Sequence, residues 1–360
     1  MIARVLIVPL LIAAPAYGQG FAGLGTEAGD FGAVTPDRSL EFPKDHLPHP
    51  AYRIEWWYLT ANLEAADGTE YGLQWTLFRS ARRPLTSEGW EADQLWMGHA
   101  ALTSADTHLV AERLARGGIG QAGVEDAPFE AFIDDWHLRS TAPEEADPLS
   151  EVALAARGSD FSYALDLTAS GPLVLQGEDG YSVKSPEGQA SYYYSQPFYE
   201  VTGDISLPEG AVAVTGSAWL DREWSSQPLS ETQSGWDWFS LNFDNGAKLM
   251  AFGLRDTEGG HYNSATWIAP DGTPTPYGDG AVTLTPLGEA DVAGRDIPVR
   301  WRVELPDEGL NVTTEPLNAQ AWMGTLFPYW EGPVTVSGSH SGRGYLEMTG
   351  YPERTEAGTQ

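Results

Sequence analysis

The sequence predicts an all-β protein of two antiparallel β-barrels in tandem, and three observations predict it. The first is a motif written twice. Glu55-Trp56-Trp57-Tyr58 runs into Asp67-Gly68 and ends at Phe78-Arg79; Gly235-Trp236-Asp237-Trp238 runs into Asn245-Gly246 and ends at Leu254-Arg255. Asp-Gly and Asn-Gly between apolar alternating runs mark hairpin turns. Each arm of the second copy is shorter by two residues, one strand period, so Trp56 and Trp236 keep the same facing, as do Arg79 and Arg255. The second is a repeated closing segment. Val212 to Ser217 reads VAVTGS before Ala218-Trp219, and Val334 to Ser339 reads VTVSGS before a segment ending in Gly344-Tyr345-Leu346-Glu347. The third is punctuation: 40 Gly and 25 Pro are spread along the chain and separate short runs, as in barrels and sandwiches.

Taken in order, Met1 to Gly18 reads as a secretory signal peptide. Arg4 is its short positive region, Val5 to Ala14 its apolar run, and Ala16 and Gly18 its small cleavage-site residues. The first β-domain is expected over residues 30–225. Its clearest alternations are Tyr71 to Phe78 and Phe161 to Leu167. Thr107 to Ala115 reads as a turn or two of helix. Ser225 to Ser234, SSQPLSETQS, is polar and aperiodic, as a linker should be. The second domain is expected over 226–352, with Val299 to Leu305 its clearest strand.

Composition narrows the function. The net charge of −31 repels phosphate backbones, which argues against a nucleic-acid partner. With no Cys there are no disulfides, thiol nucleophiles or thiolate-bound metals. No apolar run reaches membrane-spanning length, so an integral membrane protein is not expected. His46 and His49 are separated by Pro48 and do not align as ligands, no His-Glu-x-x-His occurs, and neither a metal nor an organic cofactor is expected.

Three clusters carry candidate chemistry. Glu55, Trp57, Arg79 and His99 form the first: an acid beside large aromatics is the setting that raises a carboxyl pKa, while a Glu55–Arg79 pair stapling the hairpin is the structural alternative. The second gathers Trp219, Asp221, Glu223, Trp224, Trp236, Asp237 and Trp238 around the linker, hence at the domain junction. Asp237 occupies the slot that Trp57 fills in the first copy. A carboxylate there is costly unless it is paired or functional. The third is Tyr192-Tyr193-Tyr194, which places aromatic rings on both faces of one strand and either lines a pocket or plugs a barrel end.

These residues resemble a known family. Glu55-Trp56-Trp57-Tyr58, Gly72-x-Gln74-x-Thr76-x-Phe78-Arg79, Trp96-x-x-His99, Tyr192-Tyr193-Tyr194-Ser195-x-Pro197, Gly216-x-x-Trp219-x-Asp221-x-x-Trp224, Tyr329-Trp330-Glu331-Gly332 and Gly344-Tyr345-x-Glu347 follow the order seen in lipocalin-like proteins related to AttH and to carotenoid 1,2-hydratase. The resemblance runs from about His46 to Tyr351. It implies two lipocalin-like barrels with a site near their interface and cofactor-free hydratase chemistry, in which an acid protonates an alkene and water captures the cation. The signal peptide and the Asp221-Arg222-Glu223-Trp224 wording resemble the exported AttH-like branch, sometimes labelled hydrolases.

The expected protein is therefore periplasmic or secreted and binds a hydrophobic small molecule between its domains. If it is an enzyme, Asp237, Asp221 and Glu55 are the candidate acids of a hydratase or isomerase. Trp57, Arg79, His99, Tyr193, Trp219, Trp236 and Trp238 are the candidate ligand contacts. The rival reading is a non-catalytic carrier that hands its ligand to a membrane transporter; a hydrolase is a further alternative. An enzyme predicts an unpaired acid facing the cavity, and a carrier predicts carboxylates held in ion pairs.

Overall fold

The structure, a computed structural model, describes residue 24 and residues 26–84 and 89–354. The leader expected over 1–18 lies outside the described residues. The described chain is strands, loops and a few short 3-10 turns.

The first sheet contains β1 (Ile54–Ala65), β2 (Glu70–Ala81), β3 (Gln94–Thr103), β4 (His108–Arg116), β5 (Ala122–Asp126), β6 (Phe129–Ile133), β7 (Trp136–Ser140), β8 (Glu151–Arg157), β9 (Ser162–Ala169), β10 (Val174–Leu175), β11 (Tyr181–Val183), β12 (Ala190–Leu207) and β13 (Gly210–Ser225). It runs β4-β3-β2-β1-β13-β12-β9-β8-β7-β6-β5, with β10 and β11 also on β12. β6 packs back against β2, β3 and β4, so the sheet curls around its own core. The second sheet contains β14 (Gln233–Phe243), β15 (Lys248–Asp256), β16 (His261–Ile268), β17 (Pro274–Tyr277), β18 (Thr283–Val292), β19 (Arg295–Leu305), β20 (Leu310–Pro316), β21 (Trp322–Met323), β22 (Tyr329–Gly338) and β23 (Gly342–Met348). Its order is β17-β16-β15-β14-β23-β22-β20-β19-β18, with β21 on β22. The fold is all-β, two strongly curled antiparallel sheets consistent with two lipocalin-like barrels.

The two Trp hairpins sit in different sheets as β1–β2 and β14–β15. They turn in the same way. Gly68 N–H donates to Ala65 O and Gly246 N–H to Phe243 O, each at 2.9 Å. Both glycines have positive φ, 85° and 89°, which a residue with a Cβ adopts only at a cost. Asp67 and Asn245 each accept a backbone N–H two residues on, from Thr69 and Ala247.

Two sequence expectations are corrected. Residues 108–116 are not helical; they form edge strand β4 on β3, because pairing with β3 satisfies their backbone and leaves Glu112, Leu114 and Arg116 exposed on one face. The VTVSGS segment is not in the last strand of its unit. It lies on β22, whereas β23 is the counterpart of β13: each pairs with the first strand of its Trp hairpin. The true equivalents are Trp219-Leu220-Asp221 and Tyr345-Leu346-Glu347, since Asp221 pairs with Tyr58 and Glu347 with Trp238.

Each sheet encloses one core, the first built on Trp57, Trp75, Tyr192, Tyr194 and Trp224, the second on Phe239, Trp301, Trp330 and Leu346. A third cluster, with Tyr58, Tyr193, Trp219, Trp238, Phe252 and Tyr345, lies between the sheets. This explains why β1 is buried almost throughout and does not alternate. Its odd-numbered residues 55 and 57 face the first core, and Trp56 and Tyr58 face the second sheet. Close approach is built in at Gly72, where any Cβ would collide with Pro333 of β22. The connection from β13 to β14 is polar in sequence yet tucked in: Leu229 and Ser230 are buried.

Candidate functional site

A cavity of about 340 Å³ lies where the outer faces of the two sheets meet. The register predicts its walls. Trp56, Tyr58, Asp221 and Glu223 line it from the first sheet. The residues at the same register positions of the second sheet, Trp236, Trp238, Glu347 and Thr349, line it from the other side. Tyr193 and Tyr329 are likewise matched across β12 and β22, and Phe78 and Leu254 across β2 and β15.

Carboxyl groups interrupt this aromatic lining. Both oxygens of Asp221 accept hydrogen bonds: Oδ2 from the Tyr193 hydroxyl at 2.6 Å, Oδ1 from Ser195 at 2.5 Å and from Trp219 Nε1 at 2.6 Å. The Tyr193 hydroxyl accepts from Trp238 Nε1 at 3.1 Å, which commits its proton to Asp221. Glu347 accepts from Trp236 Nε1 at 2.6 Å. Directly opposite on β22 stands Glu331, whose Oε1 accepts from Tyr58 at 2.5 Å. No Lys or Arg salt bridge reaches Asp221, Glu331 or Glu347 among the described residues.

Burial therefore controls their protonation. It pushes Asp221 up to about 7 against the pull of its three donors, with the Glu223 charge adding to the rise. Burial likewise pushes Glu347 up to about 7, opposed by Trp236 and reinforced by the charges of Asp221 and Glu223. Glu331 is raised well above the usual carboxylate range by burial and by Glu347 beside it. Glu223 is paired, at 3.0 Å, with Lys184, whose ammonium also lies over the Tyr193 and Phe252 rings. His99 lines the cavity, contacts the Tyr329 hydroxyl at 2.9 Å and Glu112 at 3.2 Å, and is kept toward the neutral form by burial.

Comparison with known proteins now identifies the lineage. The family model described as AttH-like matches residues 33–351. The chain belongs to the AttH-like family. Among solved structures, a protein assigned as AttH from Nitrosomonas europaea is similar at 34% identity. That match covers 89% of this chain and 99% of the other, with a TM-score of 0.79. Kievitone hydratase from Nectria haematococca shares the fold at 15% identity and a TM-score of 0.65, covering 90% of this chain and 97% of its own. No curated protein gives a match.

Within this AttH-like fold the expected site residues separate. Asp221, Tyr193, Trp236, Trp238 and His99 come together on the cavity. Trp219 reaches it only through its bond to Asp221. Trp57 does not line it. Its ring faces the first core, with the Arg222 guanidinium 3.6 Å from its centre and its Nε1 donating to His46 O. Glu55 and Arg79 contribute to the wall, but their charged ends turn to one another on the barrel side. Burial alone would raise Glu55, but Arg79 and Arg222 reverse this and hold it well below the usual range, so it is no proton donor.

Asp237 is the largest correction. It is neither unpaired nor in the cavity. It is buried inside the second barrel, 2.5 Å from Arg255 Nη1, and accepts from Tyr351 at 2.9 Å. The acid partner of the hairpin arginine has moved by one strand period. In the first copy it sits at Glu55, directly across from Arg79; in the second that position is Gly235, and the acid stands two residues on. Sequence reasoning also missed Tyr58, Glu331 and Glu347 as site residues. The register of the two repeats, which matches Glu347 to Asp221, was the signal available for Glu347.

Proposed function

We propose that this protein binds an apolar, unsaturated small molecule in the cavity between its sheets and adds water to it by cofactor-free acid catalysis. One observation carries the reading: Asp221 and Glu347 occupy equivalent positions in the two halves, face one aromatic cavity, and have no cationic partner among the described residues. A carboxyl poised near neutrality is suited to proton transfer in both directions.

Their hydrogen bonds suggest the division of labour. Three donors saturate Asp221, which favours the carboxylate and a role as base. Glu347 is less constrained, and the charges of Asp221 and Glu223 favour its protonated form, so it is the acid. Glu347 gives its proton to one alkene carbon, and the aromatic faces of Trp56, Trp236 and Trp238 stabilise the cation. Water bonds to the other carbon and loses a proton to Asp221. That proton then returns to Glu347 through solvent, and the net change is addition of one water. Kievitone hydratase, which shares the fold, is by its name a hydratase. Loss of the proton from the cation instead of capture by water would give isomerisation in the same site.

The test starts from compounds extracted from the purified protein and identified by mass spectrometry. Incubating them with the protein in heavy-oxygen water should label the product, and Glu347→Gln should not. A co-purifying ligand that gains neither oxygen nor deuterium from solvent would instead support the carrier reading, in which the protein serves a membrane transporter. Export to the periplasm is part of the proposal, and N-terminal sequencing of the mature chain checks it: a start near Gln19 supports it, Met1 contradicts it. The hydrolase alternative is less well supported. Ser195 contacts Asp221 and Gln176, and no histidine reaches it among the described residues.

A further inference from the structure

Arg53, just ahead of β1, lines the cavity. The chain is strongly acidic, with 51 Asp and Glu against 20 Lys and Arg. Unpaired guanidinium groups should therefore be confined to its surface. The other half-buried or buried arginines among the described residues obey this. Arg38, Arg79, Arg113, Arg222, Arg255, Arg295 and Arg343 each hold a carboxylate. Arg53 is half-buried and holds none among the described residues; the one hydrogen bond of its side chain there is from Nη2 to the Leu24 carbonyl at 3.3 Å. Its Nε–H is buried with no acceptor among the described residues. The other basic groups of the cavity wall are already engaged: Arg79 by Glu55, Lys184 by Glu223, and His99 by Glu112.

We infer that Arg53 is the docking point for an anionic headgroup, a carboxylate in the simplest case, on an otherwise apolar ligand. A guanidinium presents coplanar N–H donors that match the two oxygens of a carboxylate, and a desolvated site strengthens that bond. The rest of the wall is mainly aromatic and aliphatic, as the body of such a ligand requires, and two of its carboxylates, Glu55 and Glu223, are already paired with Arg79 and Lys184. The inference rests on the cavity being the ligand site, as in the function proposed above, and adds that the ligand is amphipathic.

Tryptophan fluorescence titration with decanoate and decanol at about pH 8 tests this without any turnover. Decanoate should bind about tenfold or more tightly than decanol, as one charge-assisted hydrogen bond predicts. Arg53→Met should erase the difference and leave decanol binding as it was. Arg53→Lys should restore part of it. Melting curves check that both variants remain folded. Equal affinity for the two probes, no decanoate binding, or a preference that survives Arg53→Met would each overturn the inference. Repeating the titration on Glu347→Gln separates the two readings. A preserved headgroup preference with no turnover even in the unsubstituted protein leaves Arg53 in place and removes acid catalysis; turnover that Glu347→Gln abolishes, with no headgroup preference, does the reverse.

Discussion

Two groups of buried carboxyls, one inside the first barrel and one between the sheets, titrate in opposite directions. Glu55 has two arginines and a histidine around it and is held ionised. Asp221, Glu331 and Glu347 are equally buried, have hydroxyl and indole donors but no cation, and are pushed toward the protonated form. Burial is common to both, so between these two groups it is the pair of arginines on Glu55 that makes the difference. Glu55 and Tyr58 belong to the same strand on opposite faces, so β1 alone separates an ion-pair centre from a proton-holding one.

The comparison can be broken most severely at Glu55. Glu55→Gln leaves Arg79 and Arg222 buried without their counter-charge, and unfolding free energy should fall by about 3–5 kcal/mol in urea titrations. The matching change in the other centre, Glu347→Gln, should do the opposite to stability. It removes a group that burial disfavours in its charged form, so the melting temperature at about pH 8 should hold or rise. Its effect should appear in turnover, with a loss of about a hundredfold or more. A Glu347→Gln variant that unfolds like Glu55→Gln would mean that the two centres are not different in kind.

Asp237→Asn is expected to resemble Glu55→Gln on a smaller scale. Arg255 is less enclosed than Arg79, so stability should fall by about 1–3 kcal/mol, while ligand affinity stays unchanged wherever the variant is folded. A change in affinity without a change in melting temperature would return Asp237 to the site.

The pH dependence is the most diagnostic, because the two centres predict opposite behaviour. Folding raises Asp221 from 3.8 and Glu347 from 4.5 to about 7. The stability they confer is complete below their ordinary values and is lost as pH rises toward about 7. Folding lowers Glu55, whose contribution is present above its ordinary 4.5 and is lost only on further acidification. Stability measured from about pH 5 to pH 8 should therefore decline, and Asp221→Asn or Glu347→Gln should flatten that decline. Turnover should be bell-shaped around about pH 7, since it needs Glu347 protonated and Asp221 ionised.

Much of this was legible in the sequence, because a two-residue period and a repeated hairpin constrain facing without any knowledge of contacts. Trp56 and Trp236 do share the cavity, and Asp221 lies beside them. What failed were inferences about partners across strands. Asp237 looked anomalous because it stood in an aromatic's slot, yet its partner arginine had a glycine opposite, and that vacancy is what the acid's move compensates. Glu55 beside tryptophans looked like a proton donor because Arg222, far along the chain, was not counted against it. Glu331 and Glu347 carry no separate signal in the sequence as a pair, since only strand pairing shows two acids face to face. The strand at 108–116 was misread because an edge strand with one exposed face can carry a helix-like mixture of residues.

The matched walls of the cavity raise a problem of direction. A chamber made from two copies of one motif offers a ligand nearly the same surroundings whichever end enters first, as an isologous dimer interface would. Productive chemistry at a single bond requires that this degeneracy be lifted. The two halves differ where they would need to: Thr349 takes the register position that Glu223 holds in the first half, and Arg53 and Lys184 belong to the first half alone. Divergence between the copies thus gives the chamber a head and a tail. Restoring the symmetry, by neutralising those few residues, should yield a protein that still takes up its ligand but holds it both ways round.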